Sequence, residues 1–261
     1  MQSQKINNIR LTVAEIVTIL LLKRKISIRK LFCAAMDVLR KQKLLPVYSF
    51  VPLAVTLVLH FLVYIGTQLI VDPASRITVS LPADELIPLI PEWVLIYVAT
   101  FFFWAAGLII IMRADKDACF EQFGVVLASE IISLAFFLLL PTVMQRPVPE
   151  PTTYAGRFLL IVYQVDDPVN LFPSMHCLLA WLTFRAAWRS PEIAKPYKLF
   201  FLVFALLICV STLTVKQHLL PDVISGLAFA ELSIIIGRKA KLKKVYYALD
   251  RALKITKEEQ T

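Results

Sequence analysis

Five stretches of this chain are long and apolar enough to cross a lipid bilayer: approximately Val47–Val71, Trp93–Met112, Gly124–Leu140, Leu199–Val215 and Leu219–Gly237. A spanning helix needs roughly 20 mostly apolar residues. A sixth stretch, Met175–Trp188, is shorter and carries Arg185. Hydrophobic residues make up 58% of the chain, charged residues 18%, and the mean hydropathy is +0.71. A soluble domain is nearer half apolar and a quarter charged, so a water-soluble globule is excluded. A disulfide-stapled secreted module is excluded too, because Cys33, Cys119, Cys177 and Cys209 show neither paired nor metal-ligand spacing.

The net charge of +9 raises the question of nucleic acid, and its distribution answers it. With six spans and a cytoplasmic N-terminus, 24 of the 28 lysines and arginines fall on the cytoplasmic side. Arg76, Arg146, Arg157 and Lys216 fall outside. This fits the positive-inside rule and supports the short span, since deleting it would invert everything downstream. The expectation is a multi-pass protein of the cell membrane with both termini cytoplasmic. Its basic charge sets topology and attracts anionic lipids, at about 1 kcal/mol per surface cation, and no nucleic-acid partner is expected.

Before the first span, Leu11–Leu22 is too short to cross and leads into Lys23-Arg24-Lys25 with no small-residue cleavage site. It reads as an interfacial or re-entrant helix. Ile28–Leu45 places apolar residues at near-helical spacing on a basic background, as in helices lying on a membrane surface. The fold class expected is all-α: an integral membrane six-helix bundle with additional N-terminal interfacial helices. Residues 1–46 form the basic amphipathic segment, 47–237 the six-span domain and 238–261 a cytoplasmic basic tail.

The orientation brings three polar clusters to the outer face. The first is Gln145-Arg146-Pro147, in the loop between spans three and four. The second, Phe172-Pro173-Ser174-Met175-His176, lies at the outer end of span four. The third, from Ser211 through Lys216, Gln217 and His218 to Asp222, lies at the outer end of span six. A helix starting near Pro173 and Ser174 points free N–H groups outward, which suits an anion. His218 and Asp222 stand four apart and share a helix face. A carboxylate bonded to one imidazole nitrogen fixes the tautomer and leaves the other free to attack. Arg146 adds a permanent planar cation suited to phosphate. His60, in the middle of span one, reads as packing or an interhelical hydrogen bond.

The order Arg-Pro, then Pro-Ser-x-His, then Ser-x6-His-x3-Asp resembles the type 2 phosphatidic acid phosphatase (PAP2) superfamily of membrane lipid phosphatases and phosphotransferases, over roughly Pro141 to Gly237. The resemblance implies that His218 is the nucleophile that becomes phosphohistidine, that Asp222 orients it, and that His176 protonates the leaving oxygen. Arg146, Ser174 and Ser211 would cradle the phosphate, with no metal and no cofactor. The sequence departs from the family pattern at three places. Leu139 stands for a lysine, Met175 for a glycine and Thr212 for an arginine. Lys216 and Arg157 are the candidate substitute cations. A bulky residue before the motif histidine also resembles the branch with inositol-phosphorylceramide and sphingomyelin synthases.

The implied substrate is a lipid phosphate or pyrophosphate at the outer leaflet. Water as acceptor gives a phosphatase, and an alcohol gives a phosphotransferase. A non-enzymatic lipid or anion transporter is the remaining alternative, although the charges cluster near the two faces and no repeat is apparent. Outer loops 72–92 and 142–172 are long enough to form a lid. At the cytoplasmic ends of the spans, Arg185 is expected to pair with Glu130 or Glu231 as an internal clamp.

Overall fold

The structure, a computed structural model, describes residues 45–253. The Leu11–Leu22 run and all but the last residue of Ile28–Leu45 lie outside the described residues. The chain forms α1 (Val47–Ile70), α2 (Val94–Arg113), α3 (Lys116–Leu139), α4 (Tyr154–Val165), α5 (Met175–Arg189), α6 (Lys195–Thr214), α7 (Leu220–Lys239) and α8 (Lys243–Leu253). No strand occurs among the described residues. Two isolated bridges, Ile77–Thr142 and Val143–Val169, pin the connections at one end of the bundle together.

Among the described residues, helices α1, α2, α3, α6 and α7 are the five long and apolar enough to cross a membrane. Their outward faces carry side chains such as Phe102, Ile131, Val203 and Ile235, all exposed. Leaving a large apolar side chain in water forgoes about 1.5–3 kcal/mol, so a surface of this kind belongs in hydrocarbon. The protein is an all-α membrane helical bundle.

Helix α5, which holds the sixth stretch, is not among these five, and its surroundings account for its weak hydropathy. It has 15 residues, so it is only about 22 Å long. It packs against α2, α6 and α7, and Cys177, Leu178, Ala180 and Ala187 are completely buried. A helix sheathed by other helices need not match the bilayer in length or be apolar throughout. Close approach is built in by glycine. A Cβ on Gly226 of α7 would lie 2.7 Å from the Ser174 carbonyl oxygen, and one on Gly237 would lie 2.8 Å from Cα of Val125 on α3.

At the end of the bundle where α5 finishes, Nη1 of Arg185 lies 2.6 Å from Oε1 of Glu231. Nε1 of Trp181 donates to the same oxygen at 2.7 Å. The expected clamp therefore forms, with Glu231 as the partner. Glu130 instead meets Nδ1 of His60 at 2.9 Å, which makes that histidine an interhelical hydrogen-bonding residue. Within the basic residues after the last span, Lys243–Leu253 forms α8 and docks on α3. Tyr246 is buried and donates to the Phe123 carbonyl at 3.3 Å, while Lys116 and Asp250 pair at 2.7 Å. Tyr246 and Asp250 are four apart, so one helix face supplies both contacts.

Candidate active site

The histidine-bearing end of the bundle is assembled by two helix starts that hold each other. Ser174 is the N-cap of α5, its Oγ accepting from the Cys177 N–H at 3.3 Å. The hydroxyl supplies an acceptor that the first turn of a helix otherwise lacks. Pro173 therefore precedes the cap, after a cis Phe172–Pro173 peptide, rather than sitting in the first turn. The Ser174 N–H donates to the Asp222 carbonyl at 3.0 Å, which ties the start of α5 to that of α7. Pro221 stands in the first turn of α7, where its missing N–H is not needed. Oδ2 of Asp222 accepts from the Leu219 N–H at 2.8 Å.

His218 lies in the short link between α6 and α7. Lys216 adopts a left-handed φ of 53°, and the link then folds back so that the N–H groups of Gln217 and His218 both donate to the Thr212 carbonyl, at 2.9 and 3.1 Å. This backbone placement aims the imidazole inward. Its Nε2 is 3.4 Å from Nδ1 of His176, and its Nδ1 is 3.5 Å from Oδ2 of Asp222. The second distance is an ion-pair separation rather than a hydrogen bond, and Nδ1 has no other hydrogen-bond partner. All three side chains are buried. The His176 ring is walled by Tyr97, with centroids 4.7 Å apart, and by Trp104 at 5.3 Å.

With the histidine pair, its carboxylate and the two helix starts in place, the comparison with known families is decisive. Residues 121–246 match the family model of the PAP2 superfamily. The matched stretch is a PAP2-superfamily domain. The matched stretch contains Arg146, Ser174, His176, Ser211, His218 and Asp222. PAP2 proteins are of phosphatase or phosphotransferase type and act on phosphate-containing substrates. No curated protein and no solved structure gives a match.

The remaining residues singled out from this PAP2 sequence are distributed unevenly. Nη1 of Arg146 donates to the Asp166 carbonyl at 2.8 Å and to Oε1 of Gln217 at 2.7 Å. Its Nη2 donates to the Tyr163 carbonyl at 3.1 Å, and the guanidinium lies over the Tyr163 ring, 4.1 Å from the centroid. Ser211 is buried and its hydroxyl donates to the Ile208 carbonyl of its own helix. Nζ of Lys216 donates to the Asp84 carbonyl at 3.2 Å and lines a neighbouring groove of about 490 Å³, not the space between the histidines. Arg157 is bonded to the Pro151 carbonyl at 2.8 Å, on the exposed side of α4. Thr212 turns its hydroxyl to the Cys209 carbonyl, and Leu139 is exposed.

The space between the histidines is a cavity of about 10 Å³ lined by Tyr64, Asp166, Asp167, Met175, Gln217 and their neighbours. Asp166, at the end of α4, was not visible as a site residue in the sequence. It accepts from the hydroxyls of Tyr64 at 2.6 Å and Tyr97 at 2.5 Å. Burial pushes the Asp166 carboxyl up, but the neighbouring histidines and the two tyrosine hydroxyls outweigh it and hold it below its ordinary value. Tyr64 is aimed by a π-helical turn, Leu62–Gly66, whose Tyr64 carbonyl accepts from Nδ2 of Asn170 at 3.0 Å. A single such turn inside an α-helix often marks a functional position. No spacing rule links Tyr64, Tyr97 and Asp166, which lie in three separate segments.

Proposed function

We propose that this protein is a membrane phosphatase that hydrolyses a lipid phosphate or pyrophosphate through a phosphohistidine intermediate. The observation that carries the reading is the row Asp222, His218, His176, with the two imidazoles 3.4 Å apart. Nε2 of His218 attacks phosphorus in line. The new N–P bond forms as the P–O bond to the leaving group breaks, and His176 passes its proton to the departing oxygen. His176 then takes a proton from water, whose oxygen attacks phosphorus and displaces His218. Asp222 orients the imidazole and stabilises the positive charge that it develops. The N-terminus of α5 with Ser174 opposes the charge growing on the phosphoryl oxygens, and Arg146 supports the site from behind through Gln217.

Residues 47–237 carry this chemistry. The basic residues support an arrangement with both termini in the cytoplasm and the histidines opening to the outer leaflet. The lipid tail then stays in the bilayer while the headgroup enters beneath loops 72–92 and 142–172. A second reading, transfer of the phospho-headgroup to an alcohol, is favoured by the burial of both histidines, because a closed site excludes competing water.

The test is phosphate release from long-chain lipid phosphates and diphosphates by the purified full-length protein in lipid vesicles, against His218→Ala and His176→Ala. Wild type is expected to exceed both variants by at least ~10²-fold. Equal release by all three proteins rejects the catalytic assignment. Adding long-chain alcohols and following product lipids separates hydrolysis from transfer.

A further inference from the structure

PAP2-type chemistry needs donors for the phosphoryl oxygens, and the residues lining the cavity between His176 and His218 include no lysine and no arginine. Asp166 and Asp167 line it instead. Arg146 stands behind this lining, with both hydrogens of Nη1 committed to the Asp166 carbonyl and the Gln217 amide. The residue it holds is the informative one.

Gln217 is 3% exposed and lies in the cavity wall beside both histidines. A guanidinium has donors only, so the amide atom facing Arg146 must be the oxygen. That contact removes the usual ambiguity between the two ends of a glutamine amide. Nε2 then faces the other way, and it has no hydrogen-bond acceptor. Buried donors in native proteins are almost always satisfied, and one left open at a site is explained when the missing partner is the ligand. The backbone is equally fixed, because the Gln217 N–H is bonded to the Thr212 carbonyl at 2.9 Å. The chain thus holds a neutral N–H donor, oriented from behind, next to the nucleophile.

We propose that Nε2 of Gln217 donates a hydrogen bond to a non-bridging oxygen of the phosphoryl group as His218 attacks, with Arg146 as the positioning residue that turns the amide. This rests on the phosphoryl-transfer reading and deepens it: a neutral donor does part of the work of the cations absent at Leu139 and Thr212. Two variants separate donation from packing. Gln217→Glu keeps the oxygen that accepts from Arg146 and replaces only the donor; Gln217→Leu removes both.

The experiment measures binding of orthovanadate, whose five-coordinate adduct on a histidine nitrogen mimics the phosphoryl group in transfer, to the full-length protein in detergent. Wild type is expected to bind it, His218→Ala to lose it, and both Gln217 variants to bind at least ~10-fold more weakly. With a lipid phosphate substrate, kcat/KM of Gln217→Glu should fall about 10²-fold, as on loss of one oxyanion donor. Its activity relative to wild type should then rise as pH falls, because a protonated carboxyl can donate again. A structural role alone would not give that pH-dependent recovery. Vanadate affinity unchanged in Gln217→Glu, while His218→Ala loses it, overturns the Gln217 assignment and leaves the phosphatase reading standing. No binding by wild type overturns both.

Discussion

Nε2 of His218 lies 3.4 Å from Nδ1 of His176, while the opposite nitrogen of His218 faces Asp222. The two nitrogen edges of one ring are thereby divided between a carboxylate and a second imidazole, which the proposed mechanism uses as orienting charge and proton donor. His176→Ala should therefore lose activity in proportion to the basicity of the leaving group. Loss of about 10²–10⁴-fold in kcat/KM, which covers the steps only as far as the phosphohistidine, is expected with an alkyl phosphate, and much less with p-nitrophenyl phosphate, whose leaving group needs no proton. His218→Ala should be inactive with both, and a quenched reaction should show no acid-labile phosphoprotein. A uniform loss across leaving groups in His176→Ala would contradict the general-acid role.

The second expectation concerns pH. Burial favours the neutral His218 ring, but the Asp222 carboxylate outweighs it, and the pKa is raised above the ordinary value. In the proposed mechanism the neutral ring is the nucleophile, so kcat/KM should fall as pH drops through that raised value. Asp222→Asn should move this acid limb to lower pH while reducing the plateau. The linked stability runs the other way. A group that binds its proton more tightly when folded stabilises the protein fully below its unfolded pKa, about 6.5, and that contribution disappears as pH rises through the folded value. Rate profiles and melting curves of both proteins check the two signs together.

Gly226 sets the distance between α7 and the cap of α5. A Cβ there would meet the Ser174 carbonyl at 2.7 Å and Cβ of Cys177 at 3.2 Å, and backbone at the first of these contacts cannot step aside cheaply. Gly226→Ala should cost about 1–3 kcal/mol by overpacking. Because Ser174 and His176 sit on the displaced turn, kcat should fall as well. Melting temperature and kcat measured on Gly226→Ala decide this, and a fully active protein of unchanged stability would mean that the helices separate freely.

The Arg185–Glu231 pair predicts a rescue. Arg185→Met leaves a carboxylate near the end of a span with only Trp181 as donor, at a cost up to about 2.5–3.5 kcal/mol at the bilayer centre and less toward the edge. Arg185→Met should melt lower than wild type, and Arg185→Met with Glu231→Gln should recover most of the difference. Additive losses would show that the two residues act independently. Activity should change little in the folded fraction, since the pair lies at the end of the bundle away from His218.

The sequence made some of this legible for definite reasons. Continuous apolar runs report spans directly, and Pro221 with Asp222 marks a helix start by local chemistry. His176 and His218 were placed together because topology put both at the same end of neighbouring spans. Helix α5 was weak in hydropathy because its environment is protein on nearly every side, and burial of that kind leaves no run of apolar residues. Asp166 was invisible because its partners, Tyr64 and Tyr97, come from α1 and α2, and only the folded bundle joins them. Lys216 illustrates the opposite error of reading charge without direction: its left-handed backbone sends the ammonium to Asp84, while the neighbouring Gln217 faces the histidines.

The docking of α8 on α3 has a practical side. Phe123 and Tyr246 join the last described helix to the bundle, so the C-terminal region is a structural part rather than a trailing appendage. A reporter fused in place of residues 243–253 would strip cover from Phe120 and Phe123, and would read out misfolding as if it were orientation. Topology reporters and purification tags belong after Leu253. A protease site engineered just beyond it, cleaved from one side of sealed vesicles, would report orientation with the bundle intact.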